Sequence, residues 1–177
     1  MAEQPAREDT IARELAQALL VRTLFPDAPI KYMPPTKHKE GDIFFSHAYD
    51  VMADVVGQVT GQSIQLLGMM TEAMHNPFLF DRYEALKSAA YVYRAWRSMG
   101  AEIQLRPDGL IAQRANETLS NALALLEEVA EDGLMAAIGK ARFGDVARRE
   151  DGGKGLGGVV ERAPDYFNPF LDVLETA

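Results

Sequence analysis

The chain has 177 residues, of which 47% are hydrophobic and 25% are charged, so its composition is that of an ordinary globular protein with material for one core. A formal net charge of −8 argues against binding to nucleic acid or to an anionic membrane, since both need a basic face. The absence of cysteine excludes disulfides, thiolate catalysis and zinc fingers. No signal-peptide pattern and no apolar run close to the roughly 20 residues that span a bilayer are present, so we expect a cytoplasmic protein.

The first predicted elements are a helix and a short strand. Asp9 or Thr10 can cap a helix that ends near residues 25–26. Its apolar face comprises Ile11, Leu15, Ala18 and Leu19, together with the stem of Arg22. Residues 30–33 then predict a strand, because prolines lie at both ends of a segment that is too brief for a helix.

A second helix and a second strand follow a loop. The helix is predicted over residues 44–59 by apolar residues at helical spacing, namely Phe45, Tyr49, Met52, Val55, Val56 and Val59. Residues 63–69 predict the strand, and their nearly continuous apolar run suits burial on both faces. The order strand, helix, strand predicts a parallel pair joined by a right-handed crossover.

In the second half of the chain the sequence pattern predicts mainly helices. Residues 81–99 form a third helix that ends at Gly100, and residues 109–131 form a fourth that stops at Asp132 and Gly133. On the fourth helix the residues predicted to face inward are Ile111, Ala115, Leu119, Ala122, Leu123, Leu126 and Val129. After it come a short helix over residues 134–143, a glycine-rich loop and an aromatic tail at residues 166–170. We expect the tail to dock on a surface, because buried aromatic rings remove much area from water.

The number of strands limits the fold. Two strands make a poor sheet with exposed edges, and a complete (β/α)8 barrel takes about 250 residues. The sequence therefore predicts a helix-rich α/β piece of a larger enzyme. We divide it into an N-terminal tail and helix (residues 1–23), β/α units with closing helices (residues 24–132), and a short helix, glycine-rich loop and aromatic docking tail (residues 133–177).

The candidate site residues follow the two predicted strands. In parallel β/α proteins the reacting groups lie just beyond the carboxyl ends of the strands, which selects residues 34–42 and 70–77. The candidate side chains in these two segments are Thr36, Lys37, His38, Glu72 and His75. A cation, two titratable rings and a carboxylate can together bind phosphate or carboxylate groups and tune the protonation of a cofactor.

These features also have structural interpretations. Glu72 and His75 have a spacing compatible with metal binding, but no third ligand is apparent, so no metal site is predicted. Residues 152–158 are similar to a phosphate-binding loop, yet Lys154 is followed by glycine and no strand precedes it, which favours a mobile loop. His47 is interpreted as a helix-surface or capping residue, and a Lys–His pair in a loop is more often exposed than functional.

Three segments together carry a family resemblance. They are residues 31–38 (KYMPPTKH), residues 65–75 (QLLGMMTEAMH) and residues 151–156 (DGGKGL). With these motifs the chain resembles the α subunit of D-lysine 5,6-aminomutase, from about residue 24 to residue 174. The resemblance implies an isomerase that depends on adenosylcobalamin and pyridoxal 5'-phosphate and moves the terminal amino group of lysine to the neighbouring carbon by radical chemistry.

The resemblance also implies partner chains. In that family the α subunit supplies a TIM barrel that holds pyridoxal phosphate. The β subunit supplies the cobalamin-ligating histidine motif and the lysine that forms the internal aldimine. This chain has no Asp-x-His-x-x-Gly, so cobalamin ligation through that motif would come from a partner. The same resemblance implies that Lys37 is not the aldimine lysine. Family α subunits are about three times this length, as a barrel with accessory helices requires. The chain is therefore expected to be a partial (β/α)8 TIM barrel, its last two β/α units with additional C-terminal helices, and a gene split, an internal start or a fragment each accounts for the missing part.

Roles for individual residues follow from the same resemblance. Lys37, in the matching Pro-Pro-Thr-Lys-His segment, is expected at the mouth of the barrel as the catalytic residue, where a cation can stabilise the phenolate oxygen of pyridoxal. The expected cofactor-binding neighbours are Thr36, His38, Glu72 and His75. The leading hypothesis is an isomerase that acts on a small amino acid, lysine or a related diamino acid, only together with its partner chains. The alternative is a non-catalytic truncated homologue that serves as a binding or assembly module, and a metal-dependent hydrolase using Glu72 and His75 is the third hypothesis.

Overall fold

The computed structural model describes residues 9–36, 39, 41–140, 142–143, 166–171 and 173. Its elements in chain order are α1 (Thr10–Leu24), β1 (Lys31–Tyr32), α2 (Ile43–Val59), β2 (Ile64–Gln65), α3 (Leu79–Ala95), α4 (Met99–Glu102), α5 (Leu110–Asp132) and α6 (Leu134–Gly139). The described part of the chain is therefore helix-rich and contains two strands. None of its helices is both long enough and apolar enough to cross a membrane.

The two strands lie side by side and run parallel, with Lys31 opposite Ile64 and Tyr32 opposite Gln65. The predicted order of strand, helix and strand is thus confirmed, and α2 forms the crossover. β2 is shorter than the predicted strand over residues 63–69, because an isolated pair offers the following residues no further strand to bond with. The expectation that β2 is covered on both faces is wrong within the described residues, where Ile64 is 50% exposed.

Local hydrogen bonds set where the first two helices begin and end. α2 begins after Asp42, whose carboxylate Oδ1 accepts from the Phe45 amide at 2.7 Å. α1 begins at Thr10 as predicted, but the Asp9 side chain makes no capping bond. The Arg22 guanidinium, predicted to contribute only its stem, donates to the Ala28 carbonyl at 3.0 Å and the Gly61 carbonyl at 2.7 Å. These bonds tie the end of α1 to the loops that precede both strands.

The hydrophobic core lies on one face of the strand pair. It consists of Ala18, Tyr32, Ala53 and Val56, with Ile11 and Leu15 packed against it. These residues come from α1, β1 and α2, so the two helices cover one side of the sheet. On β2 and just after β1, Ile64 and Met33 remain largely exposed.

Several predictions about the later helices need correction. α3 ends at Ala95 rather than at Gly100, which lies inside α4. A Cβ at Gly100 would come within 2.9 Å of the Gln58 carbonyl oxygen, so the glycine permits a close approach to α2. α5 matches its prediction within one residue at each end, and α6 ends at Gly139 rather than at residue 143.

The predicted inward face of α5 is wrong for its leucines. Leu119, Leu123 and Leu126 are exposed, whereas Ala115 is buried. α5 packs against α1 and α6, and these contacts leave its leucines uncovered. Apolar spacing thus identified the helix correctly but did not identify what covers it.

Candidate functional site

The segments that follow β1 and β2 meet at one edge of the strand pair. Lys39 comes after β1 and Glu72 after β2, and Lys39 Nζ lies 2.7 Å from Glu72 Oε1. Parallel neighbouring strands present their carboxyl ends at the same edge, which is why residues so far apart in the chain come into contact. This edge is the region where the sequence placed its candidate residues.

Lys39 is a fully buried cation with two carboxylate partners. None of its side chain is exposed, and its ammonium group forms ion pairs with Glu72 and with Asp50 of α2. Its backbone is held as well, since its carbonyl accepts from Ser46 Oγ at 2.7 Å. A buried ammonium is tolerated only when it is paired in this way, and removing one member of such a group leaves an uncompensated charge.

Glu72 is held at both carboxylate oxygens. Oε1 accepts from Lys39 Nζ, and Oε2 accepts from the Met69 amide at 3.2 Å. The side chain nevertheless keeps 17% of its surface exposed. Glu72 is therefore a fixed negative group that a ligand can still reach.

The absence of a side chain at Gly68 leaves space for this ionic cluster. A Cβ at position 68 would lie 2.0 Å from Asp50 Oδ1 and 2.7 Å from Lys39 Nζ. Neither distance is possible for a real carbon atom, so any side chain here would displace the ion pair. Steric exclusion of a side chain thus explains why the Leu-Leu-Gly-Met-Met segment has glycine at this position.

Two buried acids on α2 lie close to Lys39. Asp50 and Asp54 are one helical turn apart and both are buried. Burial raises the pKa of the Asp54 carboxyl to about 7, and the nearby Asp50 carboxylate adds to the rise. Burial also raises the pKa of Asp50, with Lys39 opposing the rise. Asp54 Oδ1 has no hydrogen-bond partner among the described residues, which fits a carboxyl that holds a proton near neutral pH.

His75 makes its contacts with its own turn and with the distant tail. Nδ1 lies 3.1 Å from the Asn76 carbonyl oxygen, and Nε2 lies 3.4 Å from Asn168 Nδ2. Both contacts are satisfied when Nδ1 carries the proton, because Nδ1 then donates to the carbonyl and Nε2 accepts from the amide. The ring also packs against Phe78, with 4.9 Å between the ring centroids.

The aromatic tail lies beside the same edge. The Phe167 amide donates to the Gly41 carbonyl at 3.1 Å, and the Ile43 amide donates to the Phe167 carbonyl at 3.2 Å. Next to the tail is an open apolar cavity of about 390 Å³. Residues that line this cavity include Ile43, Thr71, Phe78, Phe80, Asn168 and Phe170.

The candidates predicted from the sequence have different outcomes. Glu72 belongs to the ionic cluster and His75 to the contact with Asn168, while Thr36 is exposed and its carbonyl accepts from the Lys39 amide at 3.4 Å. Lys37 and His38 lie outside the described residues, and so do residues 151–156 and the glycine-rich loop at residues 152–158. His47 lies on α2 and is half-buried.

Sequence reasoning missed Lys39, Asp50, Asp54 and Asn168. Two acids one turn apart within a helix that also carries many apolar residues were an available signal for a buried ionic group. Asn168 gave no such signal, because its partner His75 is 93 positions away.

The metal-dependent hydrolase hypothesis gains no support. Among the residues with described positions, no three His, Asp or Glu side chains are grouped as metal ligands. Glu72 is paired with Lys39, and His75 contacts Asn76 and Asn168.

Comparison with known proteins identifies the family of this sequence. Residues 2–173 match the family model described as the D-lysine 5,6-aminomutase TIM-barrel domain of the α subunit. The match begins at residue 2 rather than near residue 24, so α1 lies inside it.

Curated relatives agree with this match. The chain is 45% identical over 170 residues to the lysine 5,6-aminomutase α subunit of Acetoanaerobium sticklandii, covering 96% of this chain and 33% of that protein. It is 43% identical over 171 residues to the corresponding α subunit of Fusobacterium nucleatum, covering 97% and 33%. A more distant relative, at 24% identity over 168 residues, is the D-ornithine 4,5-aminomutase subunit β of Acetoanaerobium sticklandii, with 88% and 23% covered.

The chain spans about a third of the length of the α subunits it matches. The family match nevertheless covers nearly the whole of this chain. The chain therefore belongs to the family of the TIM-barrel domain of the D-lysine 5,6-aminomutase α subunit.

Proposed function

We propose that this chain supplies the last two β/α units of the α-subunit barrel of a lysine aminomutase. It acts as an isomerase only after the remainder of the barrel and a β subunit have joined it. The relatives named lysine 5,6-aminomutase α subunit support the choice of reaction, the migration of an amino group on lysine. The ornithine aminomutase relative supports a small diamino acid as the class of substrate.

The observation that carries the proposal is the meeting of Lys39 and Glu72 at the carboxyl ends of a parallel strand pair. This edge is where β/α barrels place their reacting groups. The other face of the pair supports the same proposal, because Met33 and Ile64 expose apolar surface that further barrel strands would cover.

The described residues fit one margin of a site for pyridoxal 5'-phosphate. Glu72, fixed at both oxygens yet partly exposed, can accept a hydrogen bond from a protonated nitrogen of the cofactor or the substrate. Lys39 is already committed to two carboxylates. We therefore assign the phosphate group to residues of the remaining barrel, and keep Thr36, Lys37, His38 and His75 as the proposed neighbours of the ring.

The two cofactors supply the radical and the electron sink for amino migration when they are bound. This chain's own contribution is binding and positioning. Lys37 would present a cation near the phenolate oxygen, and Glu72 would orient a positively charged group. Adenosylcobalamin would be ligated by the β subunit, since this chain lacks the Asp-x-His-x-x-Gly motif.

A complementation assay tests the proposal. The chain is mixed with the missing α-subunit portion, the β subunit and both cofactors, and isomerisation of D-lysine and of L-β-lysine is measured. We expect turnover that depends on all three proteins. A well-folded complex without turnover would contradict the enzymatic proposal and favour a non-catalytic assembly module.

Lys37→Ala tests the proposed catalytic residue in the reconstituted complex. We expect a turnover about 100-fold lower, because loss of a positioned charge-stabilising group typically costs that much. The absorbance of bound pyridoxal should also shift. Lys87→Ala, which removes a lysine that is largely exposed on α3, is the matched control. An unchanged rate and spectrum in Lys37→Ala would remove this residue from the site.

A further inference from the structure

We infer that Lys39 is a positioning residue, which holds Glu72 in a fixed orientation at the carboxyl end of β2. The cationic residue that sequence reasoning selected in this segment is Lys37, and the comparisons assign no role to Lys39. The inference rests on the proposed function wherever activity is the readout. It can also be tested by measurements on the chain alone.

The first argument is the completeness of the burial. The Lys39 side chain is inaccessible to solvent, so it cannot itself contact a substrate or a cofactor. Glu72, its partner at 2.7 Å, keeps part of its surface open. Glu72 is therefore the more exposed of the two partners through which Lys39 can influence a ligand.

The second argument is that Lys39 is itself firmly held. Its amide donates to the Thr36 carbonyl at 3.4 Å, and its carbonyl accepts from Ser46 of α2. Its ammonium group lies between the carboxylates of Asp50 and Glu72, so Asp50 keeps the cation in place beside Glu72. A group anchored from the helix layer can fix the orientation of a site residue in the way that a supporting hydrogen bond does.

The third argument is that the side chains of Lys39 and Glu72 have no space for an alternative arrangement. A Cβ at Gly68 would lie 2.7 Å from Lys39 Nζ, so the backbone after β2 closes over the ammonium group. The Met69 amide, next in the chain, donates to the other oxygen of Glu72. The Glu72 carboxylate thus accepts one hydrogen bond from its own turn and one from Lys39.

The test compares Lys39→Met with Glu72→Gln and with the double variant Lys39→Met/Glu72→Gln in the reconstituted complex. We expect Lys39→Met to lower kcat roughly 10- to 100-fold, because misplacing a site group by about an ångström has effects of this size. The double variant should be no slower than Glu72→Gln, since both changes disable one unit. Lys87→Met, at an exposed lysine, should match the wild type.

A residue with a purely structural role would lower the melting temperature without these kinetic effects. A folded Lys39→Met variant with a kcat within about twofold of the wild type would overturn the inference, as would rate losses that multiply in the double variant. Should Lys39→Met not fold, Lys39→Met/Asp50→Asn removes the two opposite charges together, with Asp50→Asn as its control. Failure of both to fold would make Lys39 a structural residue and would also overturn the inference.

Amide spectra of the isolated chain separate this inference from the proposed function. In Lys39→Met the Met69 and Glu72 amide signals should shift, while the signals of α5 should not, because the Met69 amide donates to the Glu72 carboxylate and the Glu72 amide donates to the Met69 carbonyl. An inactive wild-type complex would refute the proposed function, but these shifts would still decide whether Lys39 positions Glu72. Unshifted Met69 and Glu72 signals would overturn the positioning role.

Discussion

The two faces of the β1–β2 pair have opposite surroundings. On one face, Tyr32 packs with Ala18, Ala53 and Val56 beneath α1 and α2. On the other face, Met33 is 58% exposed and Ile64 is 50% exposed. The strand pair is thus covered by helices on one face and largely uncovered on the other among the described residues. A strand and its neighbouring helices can form a packed face from residues close in sequence, whereas the opposite face needs an additional element to cover it.

The largest expected effect on stability comes from truncating a side chain on the helix-covered face of the strand pair. Tyr32→Ala should lower the free energy of unfolding by about 3 kcal/mol or more, because it leaves a cavity in the core cluster. Met33→Ala, on the open face, should cost less than about 0.5 kcal/mol in the isolated chain. Urea unfolding of both variants measures the difference. Equal losses in the free energy of unfolding would mean that the two faces are not distinct. The contrast would be sharpened if Met33→Ala had an effect only after the proposed remaining barrel was added.

A smaller loss in the free energy of unfolding is expected at Gly68, where α2 meets the segments that follow the strands. Gly68→Ala should cost about 2 kcal/mol, because its Cβ would overlap Asp50 and Lys39. Gly61→Ala is the control, since its φ of 63° makes a side chain unfavourable while no atom lies within 4 Å of the added carbon. Its cost should be only about 1 kcal/mol. Thermal unfolding of both variants measures this, and a Gly68→Ala that unfolds no earlier than Gly61→Ala would contradict the steric account.

An effect no larger than that of Gly68→Ala is expected in the pH dependence of stability, which arises in the buried acids of α2. The pKa of Asp54 is about 7 in the folded chain against an ordinary value of 3.8. Between these values the folded chain holds a proton that the unfolded chain has released, so the free energy of unfolding falls as the pH rises from about 4 to 7.

Asp54→Asn should remove much of this fall and stabilise the chain at pH 8 by about 2 kcal/mol relative to the wild type. Burial also raises the pKa values of Asp50 and Glu14, which accounts for the dependence that remains. Melting temperatures recorded from pH 4 to 8 test this, and a wild-type stability that rises across that range would refute the assignment.

Much of the local structure was predictable, because it rests on local chemistry. Helical spacing of apolar residues found α2 and α5, and the flanking prolines found β1. Besides the ends of α3 and α6 and the length of β2, the mistakes concern burial. Leu123 and Met52 were assigned to apolar faces by their spacing, yet both are exposed here, while Asp50 and Asp54 are buried. Spacing reports which residues share a side of a helix, and it does not report which side another element covers.

The candidate site was predictable in its location and not in its bonding. The rule that reacting groups follow parallel strands pointed to Glu72. It gave no reason to choose Lys39, because the burial of this side chain beneath Gly68 and α2 depends on residues distant in the chain. Long-range partners such as Asn168 and His75 cannot be read from a single sequence, since neither residue type requires the other.

The pairing of the tail with the start of α2 has a consequence for the order of folding. Phe167 bonds to Gly41 and Ile43, and Asn168 meets His75 across 93 positions of the chain. Closing so long a loop costs more conformational entropy than forming the β1–α2–β2 unit, whose members are close in sequence. The tail should therefore join last during folding, onto an edge that the earlier elements have already assembled. Kinetic phases that report on Phe167 should lag behind those that report on Tyr32.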